Sequence, residues 1–384
     1  MSEKNSRSES QRRKRMFETF EERLVMTANG LSEVAFDSVI EVPEIVQQVE
    51  VREQTSEIND LFGVNEVREQ YQFDGTGQTV AVIDSGIAFD HLALGGGFGE
   101  NYRVVGGYDF AENDSNPFDS GAAGFHGTHV TGIIGSDDDD YQGVSPGVDL
   151  VGLRVFDDNG AGSFSWIEDA LQWVHDNKDA FENPITTVNL SLGAEFNGDT
   201  VPEFAILEDE FQQLREDGIF IAVAAGNSFD NFNEAGLAYP AVSEHVVPVA
   251  SHDINGNISD FSQRNERVLV APGERVTSTA PGHLNVGPDN NSFIAASGTS
   301  QATPFVAGAS TLLRQANEFV GIENIDQDLL YQQFVDSADE IYDSVTGAYY
   351  NRLNLQAAID SVIQDIHSDH GHQQPMVEAL KVAN

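Results

Sequence analysis

Residues 79–86 read TVAVIDSG, and this stretch decides the fold. A short apolar run rich in β-branched residues ends on Asp84 and turns at Ser85-Gly86. Continuous apolar runs of this length mark strands buried on both faces. A carboxylate closing such a run needs a partner, because an unpaired charge next to apolar surface is costly. On this stretch alone Asp84 reads either as a helix-capping acid or as half of a functional pair.

The same kind of run recurs on the C-terminal side at 150–156 (LVGLRVF), 186–192 (TTVNLSL), 219–225 (IFIAVAA) and 246–250 (VVPVA). Between the runs, residues 165–181 place Trp166, Ile167, Ala170, Leu171 and Val174 at helical spacing, with Ser165 as N-cap. Residues 200–216 do the same with Phe204, Leu207, Phe211 and Leu214, and Gly218 is a stop. A helical piece at 353–362 closes the pattern. Strand–helix–strand alternation predicts the α/β class, a mostly parallel central sheet with helices on both faces. Sites in such sheets open beyond the carboxyl ends of the strands.

Composition narrows the function. The chain has 384 residues, 40% of them hydrophobic, enough for one large domain with extensions. The formal net charge is -44, from 63 acidic and 19 basic residues. That surface repels phosphates, so no nucleic-acid partner is expected, and it favours hard cations. No apolar stretch is long enough to span a membrane. The absence of cysteine excludes disulfides, thiolate catalysis and cysteine-ligated zinc.

The N-terminal residues look foreign to a core. Residues 1–30 read as a leader or a disordered segment: a basic run, Arg12-Arg13-Lys14-Arg15, precedes MFETFEERLVMTANG. Phe20, Glu22, Arg23, Leu24 and Met26 loosely resemble an arginine-plus-FExxExRxLL leader of exported bacterial proteins. Residues 31–56 read as an acidic linker or a reduced propeptide, 57–362 as the main domain, and 363–384 as a tail. His367, His370 and His372 in that tail suggest metal binding or, more simply, a solvated end.

Three more segments carry chemistry. Residues 124–135 (GFHGTHVTGIIG) hold His126 and His129, and either could be a catalytic base, a metal ligand or a structural histidine. The pair lacks the further ligands a zinc site needs. Residues 295–308 (AASGTSQATPFVAG) put Ser300 where a helix begins, at the positive end of its dipole and beside free amides. Residues 221–228 (IAVAAGNS) end a buried strand at Asn227, whose amide is a candidate donor.

Together DSG, HGTHV, AAGN and SGTSQATPFVAG, in that chain order, resemble the subtilisin-like serine proteases over roughly residues 57–362. The resemblance implies a three-layer subtilisin-like fold and a serine endopeptidase. Ser300 would be the nucleophile, His126 the base, Asp84 its orienting acid, and Asn227 an oxyanion donor. His129 would pack behind the site. Gly160, Ala161 and Gly162, with Ser191, Leu192 and Gly193, match the two segments that clamp a substrate backbone. Ala224, Ala225 and Gly226 match the other wall of the main specificity pocket. Phe164, Ile167 and Leu192 match a second, apolar pocket, although Phe164 and Ile167 are also readable as plain core. Asp109, Asp114, Asn116 and Phe118 match a calcium loop, the last two through backbone oxygens, and Asp137–Asp140 is a second acidic candidate.

The resemblance further implies protein or peptide substrates, a monomer, and an extracellular or cell-surface location. Residues 1–56 lack the pattern of the folded propeptide that many relatives carry, so activation is expected to differ from theirs. Two other readings remain at this point: a catalytically silent binding module on the same fold, and a metal-dependent hydrolase using His126, His129 and the acidic loop.

Overall fold

The computed structural model describes residues 58–369, without 122, 123, 285, 288 and 289, and side chains only to 364. The leader at 1–30, the linker at 31–56 and the tail histidines 370 and 372 lie outside the described residues.

Nine strands form the central sheet. In chain order they are β1 (Thr79–Asp84), β2 (Val104–Asp109), β3 (Asp149–Arg154), β4 (Ile185–Leu190), β6 (Phe220–Ala224), β8 (Val247–His252), β9 (Leu269–Pro272), β12 (Asp339–Asp343) and β13 (Ala348–Arg352). Their spatial order is β12-β13-β9-β8-β6-β4-β1-β3-β2. All pairings are parallel except the terminal β12–β13 hairpin. Every residue of β1, β6 and β8 is buried, as their unbroken apolar runs require. Two small sheets lie apart: β5 (Ala194–Gly198) with β7 (Leu237–Tyr239), and β10 (Val276–Ala280) with β11 (Ser292–Ala296).

Helices cover both faces. A short α1 (Val64–Tyr71) leads in. Helix α2 (His126–Gly135) packs on α6 (Thr299–Phe319), and α3 (Phe164–Asn177) packs on α4 (Glu208–Glu216). A single turn, α5 (Phe229–Phe232), follows β6, and α7 (Gln327–Ser337) and α8 (Leu355–Asp369) follow α6. Helix α6 runs under β4, β6, β8 and β9 and is buried on nearly all sides; its residues are mostly apolar or small, and the buried Arg314 and Asn317 are hydrogen-bonded. This is the α/β three-layer arrangement the sequence predicts.

Several local expectations change. Ser163, not Ser165, caps α3, its side chain accepting from the Ser165 amide. The helix expected over 200–216 forms only at Glu208–Glu216. Residues 200–207 follow an irregular path that leaves Phe204 exposed. The closing helix runs past Val362 to Asp369.

Strand β1 lies where the sheet order reverses: β3 and β2 fill one side, while β4, β6 and the later strands fill the other. A crevice at the carboxyl ends of β1, β4 and β6 is the expected site. Asp84 ends β1, Ser191–Gly193 follow β4, and Ala225–Asn227 follow β6.

Candidate active site

The acid and the histidine meet. His126 Nδ1 lies 2.8 Å and 3.0 Å from the two Asp84 oxygens. Asp84 is almost fully buried and His126 keeps 7% exposure, so the pair is shielded from solvent. The Ser85 amide donates to Asp84 Oδ1 at 2.7 Å. Burial works against the imidazolium, but the Asp84 charge and hydrogen bond, with Asp119 behind them, outweigh it. His126 therefore holds a proton more tightly than an ordinary histidine.

Helix α2 has an unusual beginning. Its N-cap residue, Phe125, offers no side-chain acceptor, and its first turn contains no acid. The exposed amides are satisfied from outside instead. Gly127 N donates to Ser85 Oγ at 2.9 Å, and Thr128 N donates to Asp119 Oδ2 at 3.2 Å. Thr128 Oγ1 also donates to Asp119 Oδ2 at 2.6 Å, and Ser85 Oγ donates to Asp119 Oδ1 at 3.1 Å. Burial pushes the Asp119 carboxyl up to about 7, Thr128 pulls it back, and the nearby Asp84 charge pushes it further. Gly127 is required where it stands: a Cβ there would collide with the Gly86 carbonyl.

The nucleophile candidate starts α6. Ser300 is partly exposed, while Thr299 and Gln301 on either side are buried. Pro304 has no N–H to give the Ser300 carbonyl, and that carbonyl accepts from Ser191 Oγ at 2.8 Å instead. Asn189 Nδ2 donates to the same Ser191 hydroxyl at 2.9 Å. Asn227 Oδ1 accepts from Thr299 N at 2.8 Å and from Thr299 Oγ1 at 2.9 Å, which fixes its amide plane. Its Nδ2 then lies 3.4 Å from the point where a Cβ on Gly298 would stand, and the Ser300 amide lies 3.6 Å from that point. Gln301 Oε1 lies nearer still, 2.9 Å from the same point, so glycine keeps open a space lined by two donors and an acceptor. Gly226 N donates to Thr299 Oγ1 at 3.2 Å, tying the loop after β6 to the same turn. Among the described residues no hydrogen bond joins Ser300 Oγ to His126.

The remaining predicted residues are placed as follows. Gly160–Gly162 form the return of a turn in which Asp157 N donates to Ala161 O at 2.9 Å and Phe156 bridges Gly162. Ala161 is exposed at its tip. Phe164, Ile167 and Leu192 are all buried. The Phe164 ring lies 5.2 Å from Tyr239 and 6.1 Å from Phe204. Ala224 and Ala225 are buried, and Gly226 is half-buried at the mouth.

His129 is fully buried, its Nε2 within 3.1–3.2 Å of the Val276 and Ile294 carbonyls. Burial and the neighbouring His126 push it down to about 3, so it is neutral and structural. In the loop expected to bind calcium, the acids have partners within the protein. Asp109 Oδ2 is ion-paired with Arg154 at 2.8 Å, and its Oδ1 accepts the Ala111 and Glu112 amides at 2.9 Å. Asp114 Oδ1 accepts the Asn116 amide, and the Phe118 carbonyl accepts the Ser120 amide. Asp138 in the second acidic run accepts the Asp140 and Tyr141 amides. Among the described residues no group of three or more His, Asp or Glu side chains converges on a metal position.

Asp119 is the site residue that sequence reasoning missed, since it reads there only as the end of an oxygen-rich loop. The available signal was a helix starting at His126 with no capping residue before it.

Asp84 and His126 are thus paired at the end of β1, and Ser300 stands in the first turn of α6, the helix that packs against α2. The chain belongs to the subtilase family, whose family model matches residues 75–348. It is 34% identical over 263 residues to alkaline elastase YaB of Bacillus sp. (strain YaB), covering 67% of this chain and 60% of that one. It is 32% identical over 308 residues to the thermophilic serine proteinase of Bacillus sp. (strain AK1), covering 78% of this chain and 66% of that one. The chain spans about 60% of the length of the first curated relatives it matches. A cold-adapted subtilisin-like serine proteinase superposes with a TM-score of 0.57 at 30% identity, over 73% of this chain and 90% of that one.

Proposed function

We propose that this chain is a serine endopeptidase that cleaves protein or peptide substrates through an acyl-enzyme on Ser300. The observation that carries it is the buried Asp84–His126 contact at 2.8 Å. A buried carboxylate fixes the imidazole tautomer and leaves Nε2 to take a proton. Ser300 Oγ attacks the scissile carbonyl while His126 accepts its proton. The imidazolium, stabilised by Asp84, then protonates the leaving amine. Water repeats the steps in reverse to release the acid. Asn227 Nδ2 and the Ser300 amide receive the developing oxyanion, held in place before the reaction starts.

In this reading 160–162 and 191–193 take the substrate backbone between them as an added strand. Ala224–Gly226 wall the main pocket, and Phe164, Ile167 and Leu192 form an apolar floor for a second side chain. A peptide-library cleavage profile sorts these pockets. Calcium would enter through the loop at 109–118, where Asp109 would have to leave Arg154, or through the second acidic run at 137–140. Export, by the leader at the N-terminus, and a monomeric state complete the reading. Detection in culture medium and a sedimentation run check them.

The direct experiment is hydrolysis of a denatured protein by the wild type and by Ser300→Ala. Cleavage by the wild type and none by the variant supports the reading. A silent binding module would show no cleavage by either, and a metal hydrolase would lose activity to a zinc chelator and keep it in Ser300→Ala.

A further inference from the structure

Helices normally carry their own N-terminal cap, because the first amides have no partner inside the helix. Helix α2, which carries His126 on its first residue, has none. Its second and third amides are taken by Ser85 Oγ and Asp119 Oδ2, from two different loops. Ser85 directly follows Asp84, and its own amide donates to the Asp84 carboxylate. Ser85 Oγ in turn donates to Asp119 Oδ1. Asp119 is thus the common anchor of the residue beside the acid and of the turn that bears the histidine. It is fully buried, has no cation against it among the described ion pairs, and sits at the positive end of α2. A Cβ on Gly124 would collide with Asp119 Oδ1, so a glycine there leaves room for this side chain.

We propose that Asp119 is a positioning residue for the Asp84–His126 pair, acting as a remote cap of α2 through Ser85 and Thr128. It touches no substrate. Its role is to keep the imidazole in register with Asp84 on one side and Ser300 on the other. A displacement of about 1 Å in such a constellation costs roughly a hundredfold in rate. A substrate held by the 160–162 and 191–193 segments would bind unchanged.

The inference rests on the peptidase reading, and the test separates the two. The wild type is first shown to cleave a peptide and to take a fluorophosphonate label; failure there overturns the function itself. Asp119→Asn, which keeps shape and replaces one acceptor oxygen with a donor, is then compared with Ser85→Ala and with the double variant. The expected result is a fall in kcat of about 10–100-fold with KM within about twofold, in proteins with unchanged near-ultraviolet dichroism. The double variant should lose less than the product of the single losses, because both changes break one network. An unchanged kcat, a loss that appears in KM instead, or fully multiplicative losses would overturn the inference. Should Asp119→Asn fail to fold, Ser85→Ala, which leaves Asp119 joined to Thr128, decides by the same split between kcat and KM.

Discussion

The two halves of the site are built from different interactions. The Asp84–His126 half is held by buried carboxylates: Asp84 grips the ring, and Asp119 grips the helix that carries it. The Ser300–Asn227 half contains no charge. It is held by a carboxamide, two hydroxyls and a carbonyl released by a proline. The first half sets a proton affinity, and the second sets a geometry. Damage to the first should therefore change how rate depends on pH, and damage to the second should change rate alone.

The largest effect short of removing the nucleophile is expected from Asp84→Asn. Loss of the fixed tautomer should lower kcat by about 10⁴-fold, the size this change has in characterised triad proteases. The pH profile carries the sign. In the proposed mechanism His126 must be unprotonated to act, and Asp84 holds its proton affinity above the ordinary histidine value. In the wild type kcat/KM should rise through a midpoint above about 6.5. In Asp84→Asn the residual activity should rise at a lower pH, because burial, which disfavours the imidazolium, is then the dominant influence. A midpoint that does not move breaks the comparison.

Asn227→Ala is expected to lower kcat by about 10²–10³-fold, a magnitude that comes from subtilisin itself, a relative of this chain. Its pH midpoint should stay at the wild-type value, and a shifted midpoint would mean the halves are not separate. Ser191→Ala leaves the Ser300 carbonyl without the hydroxyl that replaces the missing Pro304 amide. It should cost about 1–2 kcal/mol of stability by denaturant melt, with kcat changed less than in Asn227→Ala. The smallest effect is expected from EDTA. Because Asp109 is engaged by Arg154, chelation should leave the thermal melt within about 1 °C, and a large drop would show that the loop binds calcium after all.

The same contrast explains what could be read in the sequence. Strands β1, β3, β4, β6 and β8 announce themselves as apolar runs because both faces are buried. Strand β2 (VVGGYD) does not, since close packing demands small residues there: a Cβ on Gly106 would meet the Phe181 ring at 2.6 Å. The β12–β13 hairpin lies at the sheet edge, exposes Tyr342 and Tyr349, and so reads as polar. Strand β9 is only four residues long and ends at Pro272. The Ser300–Asn227 half was legible because its residues are contiguous with strand ends and a helix start. The Asp84–His126 pair was legible only through the order of its motifs. Asp119 was not read, because it caps a helix that starts seven residues downstream, and the one signal, an uncapped start at His126, does not say where the cap comes from.

The most direct test is to treat the wild type with a fluorophosphonate and locate the adduct by mass spectrometry. A single adduct on the peptide containing Ser300, absent after prior denaturation and much slower in Asp84→Asn, is the predicted result. No adduct, an adduct on another residue, or equal labelling with and without Asp84 would contradict the claim that the two halves meet as one catalytic site.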